Sequence, residues 1–305
     1  MRYPLISILL PTYNRAYVLG RTINNIIDQT WKNWELIVVD DNSTDDTEKL
    51  VAGFKDKRIR YIKHKTNKGE AAARNTGGKI ATGVFIANQD SDDLWEPTKL
   101  EEEISLLSNA PADVGGVYSQ TKRTFMDGRV VLVPDESAPQ KEGNLHEIFL
   151  RGDFYITSQA ITVRKQYIEN IGWFDENLRL LNDAEFCIRF SQKYKLLYNP
   201  RLRVISDVVP GSQSQNPELR LRSREYIFNK HRKEFTKYPA ILAKNAYSIG
   251  NAHALRGELR EAHPFLRIAK LSAPRNIKYS VALFLSLIPI RRLYKTAGKI
   301  LALRF

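Results

Sequence analysis

The chain has 305 residues, room for one large α/β domain with an appendage or for two modest domains. Hydrophobic residues at 43% and charged residues at 27% exclude a disordered chain. A single cysteine, Cys187, excludes an intrachain disulfide and a thiolate zinc cluster.

The net charge of +13 divides unevenly. Residues 218–305 hold 19 Lys+Arg against 5 Asp+Glu, whereas residues 1–217 hold 28 against 29. Such a tail seeks a polyanion, either nucleic acid or an anionic membrane face.

Residues 6–10 (ISILL) are a fully apolar run ended by Pro11, the pattern of a buried first strand. The N-terminal stretch carries one basic residue and is cut by Pro11 too early for an export signal, so a cytoplasmic chain is expected. Residues 18–29 read as a helix with Leu19, Ile23, Ile26 and Ile27 on one face. Residues 34–39 (WELIVV) give a second strand that runs into Asp40-Asp41, and Thr44 or Asp45 can cap the helix reaching Phe54. A third strand is expected at 58–63 and an Ala-rich helix at 69–79. A fourth strand at 84–87 (VFIA) enters Gln89-Asp90-Ser91-Asp92-Asp93, and Pro97 opens a helix through Ser108. This rhythm predicts a mostly parallel α/β sheet with helices on both faces. Ligands of such sheets bind at the carboxyl ends of the strands, where both acidic groups fall.

Beyond residue 114 the strands shorten: 116–119, a hairpin of 121–126 and 129–133 about Asp127-Gly128, then 158–163 and 196–198, with a helix at 183–193. Residues 210–217 (PGSQSQNP) suit a linker or flap between a catalytic domain, 1–217, and a basic helical region, 218–305. That region reads as helices at about 219–236, 239–256, 258–271, 275–288 and 291–303.

Packed like charges repel unless a cation sits among them. Asp90-x-Asp92 can turn a carboxylate towards a divalent metal whose other ligands are water and phosphate oxygens. Alone, so short a motif is more often a solvated turn; its place straight after an apolar strand favours the cation. Asp40-Asp41-Asn42-Ser43 can cap the next helix, and an aspartate there can also accept the ring N–H of a pyrimidine.

Five motifs now stand in order. They are Pro11-Thr12-Tyr13-Asn14; Asp40-Asp41-Asn42-Ser43 with Asp45 and Thr47; Asn67-Lys68-Gly69 with Ala73-Arg74-Asn75; Gln89-Asp90-Ser91-Asp92-Asp93 before Leu94-Trp95-x-Pro97; and Gly172-Trp173-Phe174-Asp175-Glu176 with Asn182-Asp183-Ala184-Glu185-Phe186. Together they resemble glycosyltransferase family 2. The resemblance implies a GT-A fold, a nucleotide-sugar donor and inversion at the anomeric carbon.

It further implies that Pro11, Thr12, Tyr13 and Asn14 line the nucleotide, that Asp41 binds a base (uracil by resemblance), and that Lys68, Asp90 and Ser91 contact the donor. Asp92 would hold Mn²⁺ or Mg²⁺, Asp183 would be the base, and Trp173, Asp175 and Glu176 would face the acceptor. The chemistry agrees, since a metal can neutralise the leaving diphosphate while a carboxylate across the donor takes the acceptor's proton. Asp183, at a helix start, is expected to stay ionised, although an N-cap role would also suit it. The family usually has Glu-Asp where this chain has Asn182-Asp183.

No Gln-x-x-Arg-Trp pattern of processive synthases occurs, so one sugar per encounter is expected. Neither a phosphate loop nor His/Cys metal spacing is present, and the five histidines are scattered. Residues 279–290 are apolar but shorter than the roughly 20 residues that span a bilayer. Flanked by Arg275, Lys278, Arg291, Arg292, Lys295 and Lys299, they suit a helix lying in an anionic interface, or else one packed on the catalytic domain. Nucleic acid is disfavoured because no aromatic-basic stacking pattern appears. The leading expectation is a peripheral enzyme extending a saccharide or lipid-linked acceptor on the cytoplasmic face. A nucleotidyltransferase and a decayed carbohydrate- or membrane-binding scaffold are the alternatives.

Overall fold

Strand β1 (Ile6–Thr12) is buried at every residue, which is why its sequence shows no polar alternation. It belongs to a computed structural model describing residues 4–139, 141–207 and 215–287. Helix α1 (Ala16–Ile27) buries Leu19, Thr22, Ile23 and Ile26 as one stripe, and β2 (Trp34–Asp40), α2 (Thr47–Gly53) and β3 (Ile59–Lys63) follow. Helix α3 (Glu70–Ile80) buries Ala71, Ala72, Ala73, Gly77 and Gly78, small residues that let it lie close on β1 and β2. After it comes β4 (Phe85–Asn88).

These strands run parallel in the order β3-β2-β1-β4. β1 continues through Pro11 to Thr12, two residues past the expected end. Leu9 O accepts from Gln89 N on the β4 side and Thr12 O from Asp41 N on the β2 side. By that alternation the N–H that Pro11 lacks would point beyond the β4 ladder, which stops at Leu9↔Asn88, so the proline costs no sheet bond. Chain order reverses between β1 and β4, which opens a crevice at their carboxyl ends.

The rest of the sheet is mixed. In chain order come β5 (Leu94–Trp95), α4 (Lys99–Ser108), β6 (Val114–Thr124), β7 (Val130–Val133), α5 (His146–Arg151), a 3₁₀ turn at Ser158–Ala160, β8 (Ile161–Arg164), α6 (Lys165–Ile171), α7 (Asn182–Ser191) and β9 (Lys195–Asp207). β8 joins β4 and β6 antiparallel, β9 runs parallel to β6, and β5 and β7 close the edges, giving nine strands. β9 is far longer than the expected 196–198. Ser119 pairs with Asn199 and Gln120 with Leu202, so Pro200 and Arg201 form a bulge that reads in the sequence as a strand end.

Residues separate into two compact units, Met1–Gln215 and Asn216–Phe305. In the second, Asn216 caps α8 (Pro217–Lys230) by accepting from the Glu218 and Leu219 amides, with Pro217 at the first position. Helices α9 (Arg232–Thr236), α10 (Pro239–Arg256), α11 (Leu259–Ser272) and α12 (Ile277–Ser286) follow, so the single helix expected at 219–236 is broken at His231. Ala254, Ala262, Leu266, Ala282 and Leu285 form a core from α10, α11 and α12. Residues 210–214 of the expected linker, and the helix expected at 291–303, lie outside the described residues.

Candidate active site

Two loops at the carboxyl ends of β1 and β2 are tied together. Asn14, in the left-handed region at φ 52°, donates its N–H to Ser43 Oγ (2.8 Å), and its Oδ1 accepts from Thr44 N (2.8 Å). Asp45 accepts from Ala16 N at 3.0 Å and from Thr47 Oγ1 at 2.5 Å, while Asp46 stands at the N-cap of α2 without a side-chain cap bond. Asp45 also accepts from the Thr47 amide at the start of α2 (3.1 Å), so it caps the helix, as expected, and bridges the loops as well. Asp40 turns away from the crevice, accepting from Ser43 N (2.7 Å) and Tyr61 Oη (2.5 Å).

Asp41 is buried, and its carboxylate accepts from the backbone amides of Lys68 (2.8 Å) and Gly69 (2.6 Å). His64 Nδ1 lies 2.7 Å from the same carboxylate, and its Nε2 lies 2.9 Å from Thr76 Oγ1. Of about four lone-pair directions on the carboxylate, three are used by the chain. Gly69 has φ +96°, and a Cβ there would lie 2.5 Å from Arg179 Nη1, so this turn requires glycine.

Helix α1 holds the acidic loop after β4. Thr22 Oγ1 donates to Ser91 O (2.8 Å), Arg21 to Asp92 O (2.9 Å) and Asn25 to Trp95 O (2.8 Å). The three aspartates differ. Asp93 is buried and accepts from Gln159 Nε2 (2.6 Å); burial holds its carboxyl well above the usual range. Asp92 is partly exposed, with Arg15 Nη2 4.0 Å away. Asp90 pairs with Arg74, a fully buried guanidinium of α3 that also pairs with Glu70 one turn earlier. Desolvation pushes Asp90 up to about 7; Arg74 opposes this, and the charges of Glu70, Asp92 and Asp183 add to it.

Asp183 lies in the first turn of α7, whose N-cap position is taken by Leu181 in the left-handed region, so the N-cap reading does not hold. Its Oδ1 accepts from Ala184 N at 2.7 Å. Burial nevertheless raises its carboxyl above the ordinary value, with Glu70 adding to the rise and Arg74 and Arg123 opposing it. The helix start was expected to keep it ionised, but desolvation outweighs that end. Asn182 is buried, so a glutamate in its place would put another carboxylate into this acidic group.

The segment expected to face an acceptor packs on α3. Trp173 covers Gly78, where a Cβ would come within 2.1 Å of the indole. Asn75 donates to Phe174 O (2.9 Å) and Glu176 Oε1 (2.8 Å) and accepts from Phe174 N (3.0 Å), and Arg189 donates to the carbonyls of Ile171, Gly172 and Trp173. Asp175 accepts from Asn177 N at 3.0 Å. Sequence reasoning gave no role to Arg74, Asn75, His64 or Arg189; the spacing of Glu70 to Arg74 and Glu185 to Arg189, four residues each, was the available signal for two of them.

Between the loops, Thr12 Oγ1, Asn88 Oδ1 and Gln89 Oε1 are buried without a protein partner, as at a site built to meet a polar ligand. Tyr13 stands exposed beside them in sequence. Among the described residues no three His, Cys, Asp or Glu side chains gather as a closed metal cage. The acidic loop instead offers Asp92, partly exposed with Arg15 at 4.0 Å, beside Asp90 in its pair with Arg74. That fits a hard divalent cation completed by water and phosphate oxygens.

Residues 7–171 match the family model described as Glycosyl transferase family 2. The Escherichia coli UDP-Glc:alpha-D-GlcNAc-diphosphoundecaprenol beta-1,3-glucosyltransferase WfgD is 41% identical over 138 residues, 45% of this chain and 52% of that protein. WfaP of the same organism, with the same described activity, is 44% identical over 103 residues, 34% of this chain and 41% of its own. The matches thus span about half of these relatives or less. Among solved structures, S. aureus TarS 1-349 in complex with UDP-GlcNAc superposes with TM-score 0.72 at 18% identity, covering 96% of this chain and 91% of that one. The mannosyltransferase PcManGT from Pyrobaculum calidifontis in complex with GDP-Man and Mn2+ gives 0.58 at 19% identity, with 98% and 85% covered. At such identities these two likenesses speak to fold alone.

Proposed function

The chain belongs to glycosyltransferase family 2, and from that membership we propose that it moves one sugar from a UDP-sugar to a hydroxyl of a lipid-linked saccharide, with inversion at the anomeric carbon. The observation that carries this reading is the acidic loop at the carboxyl end of β4, where Asp90 pairs with the buried Arg74 and Asp92 keeps a partly exposed carboxylate. The activity described for the E. coli relatives supports the donor and acceptor classes. The acceptor class, with the basic tail, makes the enzyme peripheral on an anionic cytoplasmic membrane face.

Each residue has a role that its geometry permits. Pro11, Thr12, Tyr13 and Asn14 form the nucleotide wall, with the unpartnered Thr12 hydroxyl among them. The remaining lone-pair direction of Asp41 accepts a base N–H, and the Lys68 turn is fixed by the same carboxylate. Ser91 and Asp90 border the donor sugar, with Asp90 oriented by Arg74. Asp92, whose carboxylate like that of Asp90 is partly exposed, would hold Mn²⁺ or Mg²⁺. Such an ion, when bound, neutralises charge developing on the leaving diphosphate. Asp183 takes the acceptor proton, and Trp173, Asp175 and Glu176 border the acceptor.

The test is turnover of UDP-sugars with a lipid-linked GlcNAc acceptor, beside Mn²⁺ binding by calorimetry. Asp92→Ala should lose both transfer and Mn²⁺ binding while its melting temperature stays unchanged. Full transfer by that variant would overturn the assignment.

A further inference from the structure

The acids of the second unit all precede Ala262: residues 262–305 hold nine Lys+Arg and no Asp or Glu. In the described part of that stretch, four large apolar side chains stand out of the surface: Leu271 (69% exposed), Ile277 (71%), Phe284 (63%) and Leu287 (64%). On the turn of α12, Ile277, Phe284 and Leu287 share one face, since steps of seven and three residues return close to the same direction. The other face carries Ala282 and Leu285, which are already packed against Ala254, Ala262 and Leu266. The helix therefore has its core contact and shows a second apolar stripe to solvent.

One cation beside this stripe is held by neutral groups: Lys270 Nζ donates to Pro274 O and Ser280 Oγ, both at 2.6 Å. Arg275 is exposed in the turn that precedes α12. Lys278, seven residues before Leu285, lies on the core face instead, its Nζ 5.1 Å from the centre of the Tyr247 ring. The partners of Lys270 position its charge without cancelling it.

We propose that this α11–α12 face docks on an anionic lipid bilayer, with Leu271, Ile277, Phe284 and Leu287 entering the acyl boundary and Lys270 and Arg275 meeting headgroup phosphates. Charge selects this occupant. A second copy would bring the same acid-free stretch, residues 262–305, against itself, and nucleic acid would leave the apolar stripe uncovered. The inference deepens the proposed function, resting on it only in that a lipid-linked acceptor is met at a bilayer.

The experiment is co-sedimentation of the full chain with vesicles of phosphatidylcholine alone, or with a third phosphatidylglycerol, at low and high salt. Anionic vesicles should bind at least about tenfold more tightly than neutral ones, and high salt should remove most of that difference. Ile277→Ser with Phe284→Ser should weaken binding about tenfold at both salts, with the melting temperature unchanged because neither side chain is in the core. Lys270→Gln with Arg275→Gln should weaken only low-salt binding, by roughly fivefold per cation.

Equal binding to both vesicle types, or no loss in the serine variant, overturns the proposal. So does a fall in that variant's melting temperature, which would mean that the chain covers its own stripe, or a concentration-dependent dimer that the serine changes abolish. No sugar nucleotide enters the assay, so its failure leaves the glycosyltransferase reading standing. Vesicle binding without UDP-sugar turnover would overturn only that reading.

Discussion

A carboxylate that must take a proton from a sugar hydroxyl is a better base when its conjugate acid is weaker, and burial weakens that acid in Asp183. Asp183→Asn keeps the shape but cannot accept the proton, so kcat should fall by roughly 10²–10⁴ while UDP-sugar affinity holds. Since the carboxyl is raised, the wild-type rate should collapse on acidification at a higher pH than an ordinary Asp, near 3.9, would give; the variant's residual rate should lack that limb. Equal losses of rate and donor affinity would make Asp183 a binding or structural residue. Asp90 permits a stability test in metal-free buffer. A raised carboxyl contributes stability that is whole below its unfolded value and is lost as pH rises through the folded one, here from about 4 through about 7. The melting temperature should therefore decline across that window, and Asp90→Asn should flatten the decline while abolishing transfer; thermal melts at pH 5 and pH 8 compare the two.

At the scale of elements, β1, β2 and β4 were legible because strands buried on both faces leave continuous apolar runs. α5 and α6 were not: six and seven residues hold too few turns to display a helical period. The long β9 was hidden by the Pro200-Arg201 bulge. The acidic loop and Asp183 were legible as residue types, but their supports were not, because nothing in an Ala-rich helix says that Arg74 is sealed inside. Gly78 in α3 shows what that helix supports. Alanine would gain about 1 kcal/mol of helix propensity, yet its Cβ would fall within 2.1–2.7 Å of three Trp173 ring atoms. The indole has little freedom to yield, since Asn75 and Arg189 fix the backbone on both sides of it. Overpacking should win by about 1–3 kcal/mol, read as a lower urea midpoint. The acceptor KM should rise more than the donor KM if this segment borders the acceptor.

For the whole molecule, the charge division and the two compact units fall at nearly the same place: the acid-poor segment begins at residue 218 and the second unit at Asn216. Each unit has its own apolar interior, a sheet core in the first and the α10–α12 cluster in the second. Among the described residues no helix is long and apolar enough to cross a membrane. All the residues proposed for donor, metal and base lie in the first unit, from Pro11 to Asp183, so donor recognition should survive without the second. A fragment of residues 1–217 should melt cooperatively and bind UDP with the affinity of the full chain, so that UDP raises its melting temperature too, because a ligand that prefers the folded state stabilises it by an amount set by its affinity and concentration. Transfer to a soluble acceptor analogue should persist, whereas transfer to a lipid-linked acceptor in vesicles should fall at least about tenfold as surface attachment is lost. Equal losses with both acceptors would make the helical unit part of the catalytic site, and an unfolded fragment would make the two units one cooperative body.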